Sequence, residues 1–453
     1  MPSDFNRRQL LRGATLASGG LAMAALFPGW ARSATRGLAG LPVLSGEEIA
    51  LTVGHSALEI DGRHGHAIAV NGTVPGPLIR LKQGQDVRIA VTNALEADTS
   101  IHWHGLLVPF QMDGVPGVSF PGIPPGQSFT YEFPTLQSGT YWYHSHSGLQ
   151  EQEGHYGPIV IDPAGPDPVA YDREHIVVFS DFSFLHPHAI FRKLKQQSGV
   201  FNDRKQTLAG LLAGRDQPLW ERAAWAKMLM DPTDISDVTG GAYRFLINGH
   251  GPGDNWTALF KPGERVRLRF INAAAQTIFN VRIPGLKLTV VAADGQNVRP
   301  VEVDEFQIGN AETYDVIVQP AEHRAFTIVS EAVDRSGQGR ATLAPHPGMT
   351  AEVPPLRPRP LATMKDMGMD MSAHAGHGGA AMPGMSMRDP RNAPQVKLGP
   401  GVQSIAPMPQ DRTGEPGQGL ENAGHRVLVY RDLIALEPNP DTRAPSRAME
   451  IHL

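Results

Sequence analysis

Short runs of alternating hydrophobic and polar residues dominate the chain, and turn residues such as Gly, Pro, Asn and Asp separate them. Alternation with period two is typical of strands that bury one face. The clearest early runs are Ile49 to Val53, Ala67 to Val70, Val87 to Val91 and Phe129 to Phe133. A later set contains Tyr243 to Gly249, Val266 to Asn272, Leu288 to Ala292, Glu305 to Ile308 and Tyr314 to Gln319. The pattern predicts an all-β protein with two tandem Greek-key β-sandwiches, at residues 45–163 and 243–345.

Between the two predicted sandwiches, residues 184–232 have a different pattern of hydrophobic and polar positions. Good helix formers recur with helical periodicity at Ala189 to Gln197 and at Leu219 to Met230, which predicts a helical insertion. Its tryptophans, Trp220 and Trp225, are expected to be core contacts rather than a platform for a ligand.

Composition narrows the function classes. The 453 residues are enough for two or three domains, and the net charge of −5 comes without a basic patch, which argues against nucleic acid as a partner. The chain contains no cysteine, so it forms no disulfides and offers no thiolate to a metal.

Residues 1–34 carry the signals of an export sequence. Arg7 and Arg8 precede two leucines, a modestly apolar run extends from Gly13 to Phe27, and small residues at 31–34 offer a cleavage site. The pattern predicts a twin-arginine signal peptide, with the twin-arginine translocase as a partner and the periplasm as the destination. The alternative, a stable membrane anchor, is disfavoured because the run is short and rich in glycine.

Two His-x-His pairs carry the candidate chemistry, His102 with His104 and His144 with His146. Aromatic residues and glycines frame both pairs in the same way, and on a strand both histidines of a pair face the same side. Two such pairs brought together by sheet pairing would place four imidazoles around one small volume. Imidazole suits copper, zinc, iron and nickel, and the absence of a carboxylate from the motif favours copper.

Two further pairs, His64 with His66 and His186 with His188, have Gly65 or Pro187 between their histidines. No strand pattern surrounds them, so we expect them on surface loops rather than at a metal site.

The motifs around the central histidines resemble the first domain of the multicopper oxidases. The segments that carry the resemblance are His102 to Gly105, Met112 to Pro116, Pro121 to Gly126 and Tyr141 to His146. Within that superfamily the chain after residue 40 is most similar to bacterial periplasmic copper-resistance oxidases. The resemblance implies cupredoxin-like sandwiches, a helical insertion between the first two domains, and a second domain without copper.

The resemblance also implies roles for the four histidines. His102 would bind the type 2 copper, while His104, His144 and His146 would bind the type 3 copper pair. Copper is then the cofactor, and Cu(I), Cu(II) and dioxygen are the small partners, with periplasmic copper-handling proteins as further ones. The residues alone indicate only that four histidines make half of a metal site.

Residues 346–424 are dense in Pro and Gly and lack apolar periodicity, which predicts a disordered, mobile linker. Thioether sulfur selects Cu(I), with imidazole as an auxiliary ligand, so a copper-capturing role is favoured over a featureless spacer. Similar Met-rich segments in copper-resistance proteins strengthen this interpretation. The candidate ligands are Met364, Met367, Met369, Met371, His374, His377, Met382, Met385 and Met387.

After the linker, Arg426 to Tyr430 predicts a strand and another run opens at Met449. A third sandwich would need roughly a hundred residues, so we interpret residues 425–453 as the truncated start of a third domain, and His452 as an edge residue. In the family, that domain supplies the other four cluster histidines and the type 1 copper ligands, including a cysteine. A truncated or interrupted reading frame would explain both the abrupt end of the chain and its lack of cysteine, and it would leave the chain inactive alone.

Three hypotheses follow. The first is an oxidase that couples oxidation of Cu(I) or phenols to reduction of dioxygen to water, with its remaining ligands encoded elsewhere or lost. The second is a non-catalytic, copper-sequestering protein that uses the Met-rich linker and the four histidines. The third is a non-catalytic relative of the type exported for cell division, which is disfavoured because both histidine pairs are intact.

Overall fold

The computed structural model describes residues 40–368, 389–397, 399, 405, 410–439 and 441–447. The described residues form twenty strands and three α-helices, which confirms the all-β prediction. The first nine strands are β1 Val43–Ser45, β2 Glu48–Ile60, β3 Arg63–Val70, β4 Leu78–Lys82, β5 Asp86–Asn93, β6 His102–His104, β7 Ser128–Pro134, β8 Gly139–His144 and β9 Tyr156–Asp162.

These nine strands make the first sandwich. One sheet has the order β1-β4-β9-β8-β6 and the other has the order β3-β2-β5-β7. In β2, Ile49, Leu51 and Val53 are buried while the residues between them are exposed, so alternation directs one face inward. Trp103 and Tyr143 are also buried in this core. The core therefore holds the strands that carry the two central histidine pairs.

The second sandwich has eleven strands. They are β10 Arg173–Ser183, β11 Tyr243–Ile247, β12 Thr257–Leu259, β13 Val266–Asn272, β14 Phe279–Arg282, β15 Leu288–Ala293, β16 Gln296–Val303, β17 Glu305–Ile308, β18 Thr313–Val318, β19 Phe326–Ala332 and β20 Gln338–Ala344. Its sheets have the orders β11-β10-β13-β18-β15-β16 and β12-β20-β19-β14-β17. Strand β13 is buried along its whole length, as expected for the centre of a packed sheet.

Strand β10 was not predicted. It pairs antiparallel with β11 and parallel with β13, so the second sandwich begins before the helical segment. The helices α1 Pro187–Gln196, α2 Leu208–Leu212 and α3 Leu219–Lys227 therefore lie between the first two strands of this sandwich. Trp225 is buried, as expected, but Trp220 is 73% exposed, so its prediction as a core contact was wrong.

The sandwiches meet along β8. The indole N–H of Trp142 donates to the carbonyl of Ala311, and the Thr140 hydroxyl donates to the Asp315 carboxylate. Trp142 also packs with Val178 and Ile271 from the second sandwich. This interface fixes the strand on which His144 lies.

The described ends of the predicted linker pack against the second sandwich. Arg357 makes a bidentate ion pair with Glu305, and its Nη2 lies 2.5 Å from Glu331, two carboxylates whose side chains are fully buried. Leu420 is buried, and Gly419 accepts from Arg335. Ion pairing and extended backbone thus anchor segments that have no apolar periodicity.

The predicted strand at Arg426 to Tyr430 is not formed. The structure has single bridges from Val427 to Glu305 and from Ala435 to Val298, with a short 3-10 helix at Tyr430–Asp432. Residues 425–436 therefore add to the second sandwich instead of opening a separate sheet. Among the described residues, no helix combines the length and apolar character needed to cross a membrane.

Candidate metal centre

The two central histidine pairs lie on neighbouring strands. Strand β6 pairs antiparallel with β8, which sets His102 opposite His144 and His104 opposite Trp142. Because side chains alternate, Trp103 and Tyr143 turn into the core while the histidines turn to the other face. His146 follows two residues after the end of β8.

Three of the four histidines form a tight group. Ligand nitrogens of His102, His104 and His144 all lie within 4.8 Å of one another, and among the described residues this is the one such group of His, Cys, Asp and Glu. The ring of His146 lies 4.7 Å from the His102 ring and 5.0 Å from the His144 ring, measured between centroids. The structure thus brings all four predicted residues into one neighbourhood.

Hydrogen bonds orient two of the rings. Nδ1 of His102 donates to the carbonyl of Asp113 at 2.7 Å, with the Asp113 carboxylate at 3.4 Å. Nδ1 of His144 lies 3.1 Å from the carbonyl of Ser145 and 3.1 Å from the Glu151 carboxylate. A proton held on Nδ1 leaves the Nε2 lone pair free, which is how protein groups prepare histidine for a metal.

The His104 ring turns its Nδ1 atom, rather than Nε2, toward His144. Nδ1 of His104 lies 3.3 Å from Nε2 of His144. Two nitrogens each about 2 Å from one ion, at a near-tetrahedral angle, are separated by roughly this distance. The donor set therefore fits a transition metal, and imidazole nitrogens alone suit copper or zinc.

Burial favours the neutral form of three of the imidazoles. Desolvation, followed by the neighbouring His144, lowers the pKa of His104 to about 4, and desolvation also lowers the pKa of His102 and His146. Neutral imidazole is the form that binds metal. Trp142 stacks on His144 with 4.1 Å between ring centroids and shields this side of the group from water.

Several supporting residues were not predicted as part of the site. Asp113 lies in a motif that carried the resemblance, and Glu151 follows the second pair by five residues, so an acidic residue near each pair was the available signal. His155 is fully buried behind the site, where burial, followed by the neighbouring His144, lowers its pKa to about 3. Its Nε2 has no hydrogen-bond partner within the part of the chain that the structure describes.

Of the predicted Cu(I) ligands in the linker, Met364 and Met367 are described. They lie half-buried in a turn at 364–368, in which the Met367 amide donates to the Met364 carbonyl. Ion pairs from Arg412 to Asp366 and from Lys365 to Glu415 hold this turn. The other candidates lie outside the described residues: Met369, Met371, His374, His377, Met382, Met385 and Met387.

Three of the four histidines in the two further His-x-His pairs lie on regular elements, so the expectation of surface loops was wrong for His64, His66 and His188. His64 and His66 are on β3, which pairs with β2 through residues that include Gly65. His186 caps helix α1 by accepting from the His188 amide, and Pro187 begins the helix. Gly65 is tolerated in the strand because Phe182 packs where its Cβ would be, and Pro187 is tolerated because it stands at the helix start.

Family models support the assignment. Models described as multicopper oxidase match residues 52–165 and 219–352. Copper resistance protein A from Escherichia coli is 44% identical over 99% of this chain and 81% of its own length. A copper resistance protein A homolog from Pseudomonas syringae pv. tomato is 44% identical over 100% of this chain and 82% of its own length.

Solved structures show the same fold. The L499M mutant of the laccase from B. aclada has a TM-score of 0.55 at 28% identity, covering 71% of this chain and 56% of that one. Fet3p, a multicopper oxidase, has a TM-score of 0.54 at 22% identity, covering 69% and 55%. With the matched models and near-full-length relatives, these likenesses lead to one conclusion: the chain belongs to the multicopper oxidase family, in the group of copper resistance protein A, and its cofactor is copper.

Proposed function

We propose that this chain serves copper resistance by supplying half of a copper centre at which oxidation of Cu(I) or phenols is coupled to reduction of dioxygen to water. The observation that carries the proposal is the group formed by His102, His104 and His144, with His146 beside it. Copper held there would supply one-electron redox chemistry toward dioxygen. Following the family pattern, His102 serves the type 2 copper, and His104, His144 and His146 serve the type 3 pair.

The chain's own residues prepare this site in three ways. Asp113 and Glu151 hold protons on Nδ1 of His102 and His144, which leaves their Nε2 atoms to the metal. Desolvation lowers the pKa of His104, so it stays neutral at pH 7. The stacked Trp142 restrains the His144 ring and excludes water from one side.

Electrons would enter this centre through ligands that these 453 residues do not supply. A type 1 site takes a cysteine thiolate, and these 453 residues contain none. The two pairs also make up four of the eight histidines that a family cluster uses. Turnover therefore requires ligands from further residues, and we expect this chain alone to bind copper without oxidising substrate.

The test is oxygen uptake with Cu(I), measured on the full chain alone and with a separately produced polypeptide that carries the family's His-Cys-His segment. We expect uptake above the copper-only control in the mixture, and its loss in the double variant His104→Ala and His144→Ala. Retention of Cu(I) without uptake under both conditions would favour the second candidate, a copper-sequestering protein.

Sequestration gains support from the Met/His-rich segment, whose flanks pack against the second sandwich through Arg357 and Leu420. We propose that its thioethers capture Cu(I). Replacing the segment's methionines with Leu should weaken Cu(I) retention in competition with a chromogenic chelator. Equal retention would leave only a spacer role.

The proposed location is the periplasm. It is supported by the twin-arginine pattern at Arg7 and Arg8, which lies outside the described residues. Replacing both arginines with Lys should leave the protein in the cytoplasmic fraction. Unchanged recovery from the periplasm would contradict this route.

A further inference from the structure

A cavity of about 250 Å³ lies where the first sandwich meets the helical segment. Its wall includes His66 from β3, Glu153 from the loop after the second histidine pair, and His186 from the start of α1. Two imidazoles and one carboxylate from three separate elements thus face one small space. None of them belongs to the copper half-site.

A third imidazole extends the cluster. His55 lies on the same face of the β2–β3 ladder as His66, because His55 pairs with Ile68 and Ala57 pairs with His66. The two rings are 4.7 Å apart between centroids. Nδ1 of His66 lies 3.9 Å from the Glu153 carboxylate, and Nε2 of His55 lies 2.8 Å from that of Glu96.

The strand that forms one wall of the cavity is closely packed, whereas the His66 imidazole at its edge is exposed. A Cβ on Gly65 would lie 2.8 Å from the Phe182 ring, and Arg63 stacks over Phe184 at 3.9 Å, so β3 packs closely against the second sandwich here. The Ile68 amide donates to the carbonyl of Glu153, which ties the loop to the strand. The His66 side chain is 59% exposed at the edge of the cavity, so an ion can reach its ring from solvent.

We propose that this cavity is a second transition-metal site, in which His66, His186 and Glu153 bind Cu(II), with His55 as a neighbouring ligand. Imidazole nitrogens with a carboxylate oxygen suit Cu(II), Ni(II) and Zn(II), and Cu(II) binds such donors most tightly. The absence of a thioether or thiolate from the lining disfavours Cu(I). This site differs in chemistry from the Met-rich segment and does not depend on the proposed oxidase activity.

The loop that contains Glu153 gives the site a connection to the half-site. Glu151 holds His144 and Glu153 lies beside His66, so one short loop contacts a ligand of each site. Metal bound in the cavity would restrain the loop that orients His144.

The experiment uses the full chain with His104→Ala and His144→Ala as the background, so that the half-site is disabled throughout. In that background, His66→Gln with His186→Gln is compared with a control, His64→Gln with His188→Gln. The control removes one exposed imidazole from each of the same two segments, and neither of these imidazoles lines the cavity. The probe is Cu(II) alone, followed by equilibrium dialysis and by nitrogen hyperfine coupling in electron paramagnetic resonance.

We expect the His66 and His186 variant to lose affinity for one Cu(II) by about tenfold or more, the scale on which metal sites respond to loss of a supporting group. Its nitrogen coupling should also weaken, while the control keeps both. Glu153→Gln, which preserves the backbone bond to Ile68, should lower the affinity without changing the thermal stability of the metal-free protein. Unchanged Cu(II) binding in the cavity variants, or an equal loss in the control, would overturn the proposal.

Discussion

Two of the polar clusters buried among the described residues differ in how fully their bonding capacity is used. In the second sandwich, the carboxylates of Glu305 and Glu331 are each met by Arg357 and Arg282. In the first sandwich, nitrogens of His104 and His144 face each other at 3.3 Å, and burial keeps the His104 ring neutral. Each of these two carboxylates is paired with two arginines, whereas the imidazole cluster still has nitrogen lone pairs available to a metal. Unused donor capacity, rather than burial of polar groups, distinguishes a ligand site from a structural one.

The largest effect on stability should come from removing an arginine of the ionic cluster. Arg357→Met removes the two hydrogen bonds to Glu305 and leaves its carboxylate undercompensated, so we expect a loss of about 3 kcal/mol in the free energy of unfolding. Denaturant unfolding of the metal-free protein measures it. Copper content should stay unchanged, because this cluster lies in the second sandwich and contains none of the proposed copper ligands.

The matched control is Lys365→Met, which breaks a partly exposed pair with Glu415 and should change stability far less. Equal losses in the two variants would mean that Arg357 contributes no more than a surface ion pair.

A smaller effect, on copper affinity, is expected from a residue that orients a histidine of the imidazole cluster. Glu151→Gln weakens the orientation of His144 and should lower copper affinity by roughly 10–100-fold. Competition with a chelator measures the affinity. Glu132→Gln, an exposed change on β7, is the control and should leave the affinity alone. If Glu151→Gln binds copper as tightly as the unmodified chain does, Glu151 does not support the site.

The smallest effect concerns pH. His155 has a folded pKa of about 3, below the value of about 6.5 for an unfolded histidine, so below pH 6.5 the unfolded chain takes up the proton first. Stability is therefore present above pH 6.5 and falls as the pH drops toward 3. The metal-free protein should lose about 2 kcal/mol between pH 7 and pH 5 through this residue.

Unfolding of His155→Gln at the two pH values isolates this contribution, because His102, His104 and His146 titrate in both proteins. The same pH dependence with and without His155 would show that its burial does not matter for stability.

The sequence predicted the site better than its surroundings. Period-two alternation was sufficient to place His102 and His104 on one face of β6, whereas His146 lies beyond the end of β8. The register that sets His102 opposite His144 depends on long-range pairing. Asp113 and Glu151 reach the rings from loops, where no periodic pattern marks them.

The fold was predictable where alternation was clean. Strand β10 was missed, although its run from Ile176 to Phe179 has the continuous apolar character of a central strand. Residues 425–436 have strand-like composition but pack against an existing sandwich edge, and local sequence does not identify that partner. Gly65 and Pro187, which separate the histidines of the two further His-x-His pairs, suggested loops. Close packing at Gly65 and a helix start at Pro187 explain these residues instead.

The most direct test of the central claim is the copper content of the full chain compared with that of the double variant His104→Ala and His144→Ala. Both proteins are loaded with copper, dialysed against a mild chelator and measured by metal analysis. We expect a clear loss of retained copper in the variant, whose metal-free fold should remain intact by circular dichroism. Equal copper retention in two equally folded proteins would contradict the assignment of the histidine pairs as a copper site.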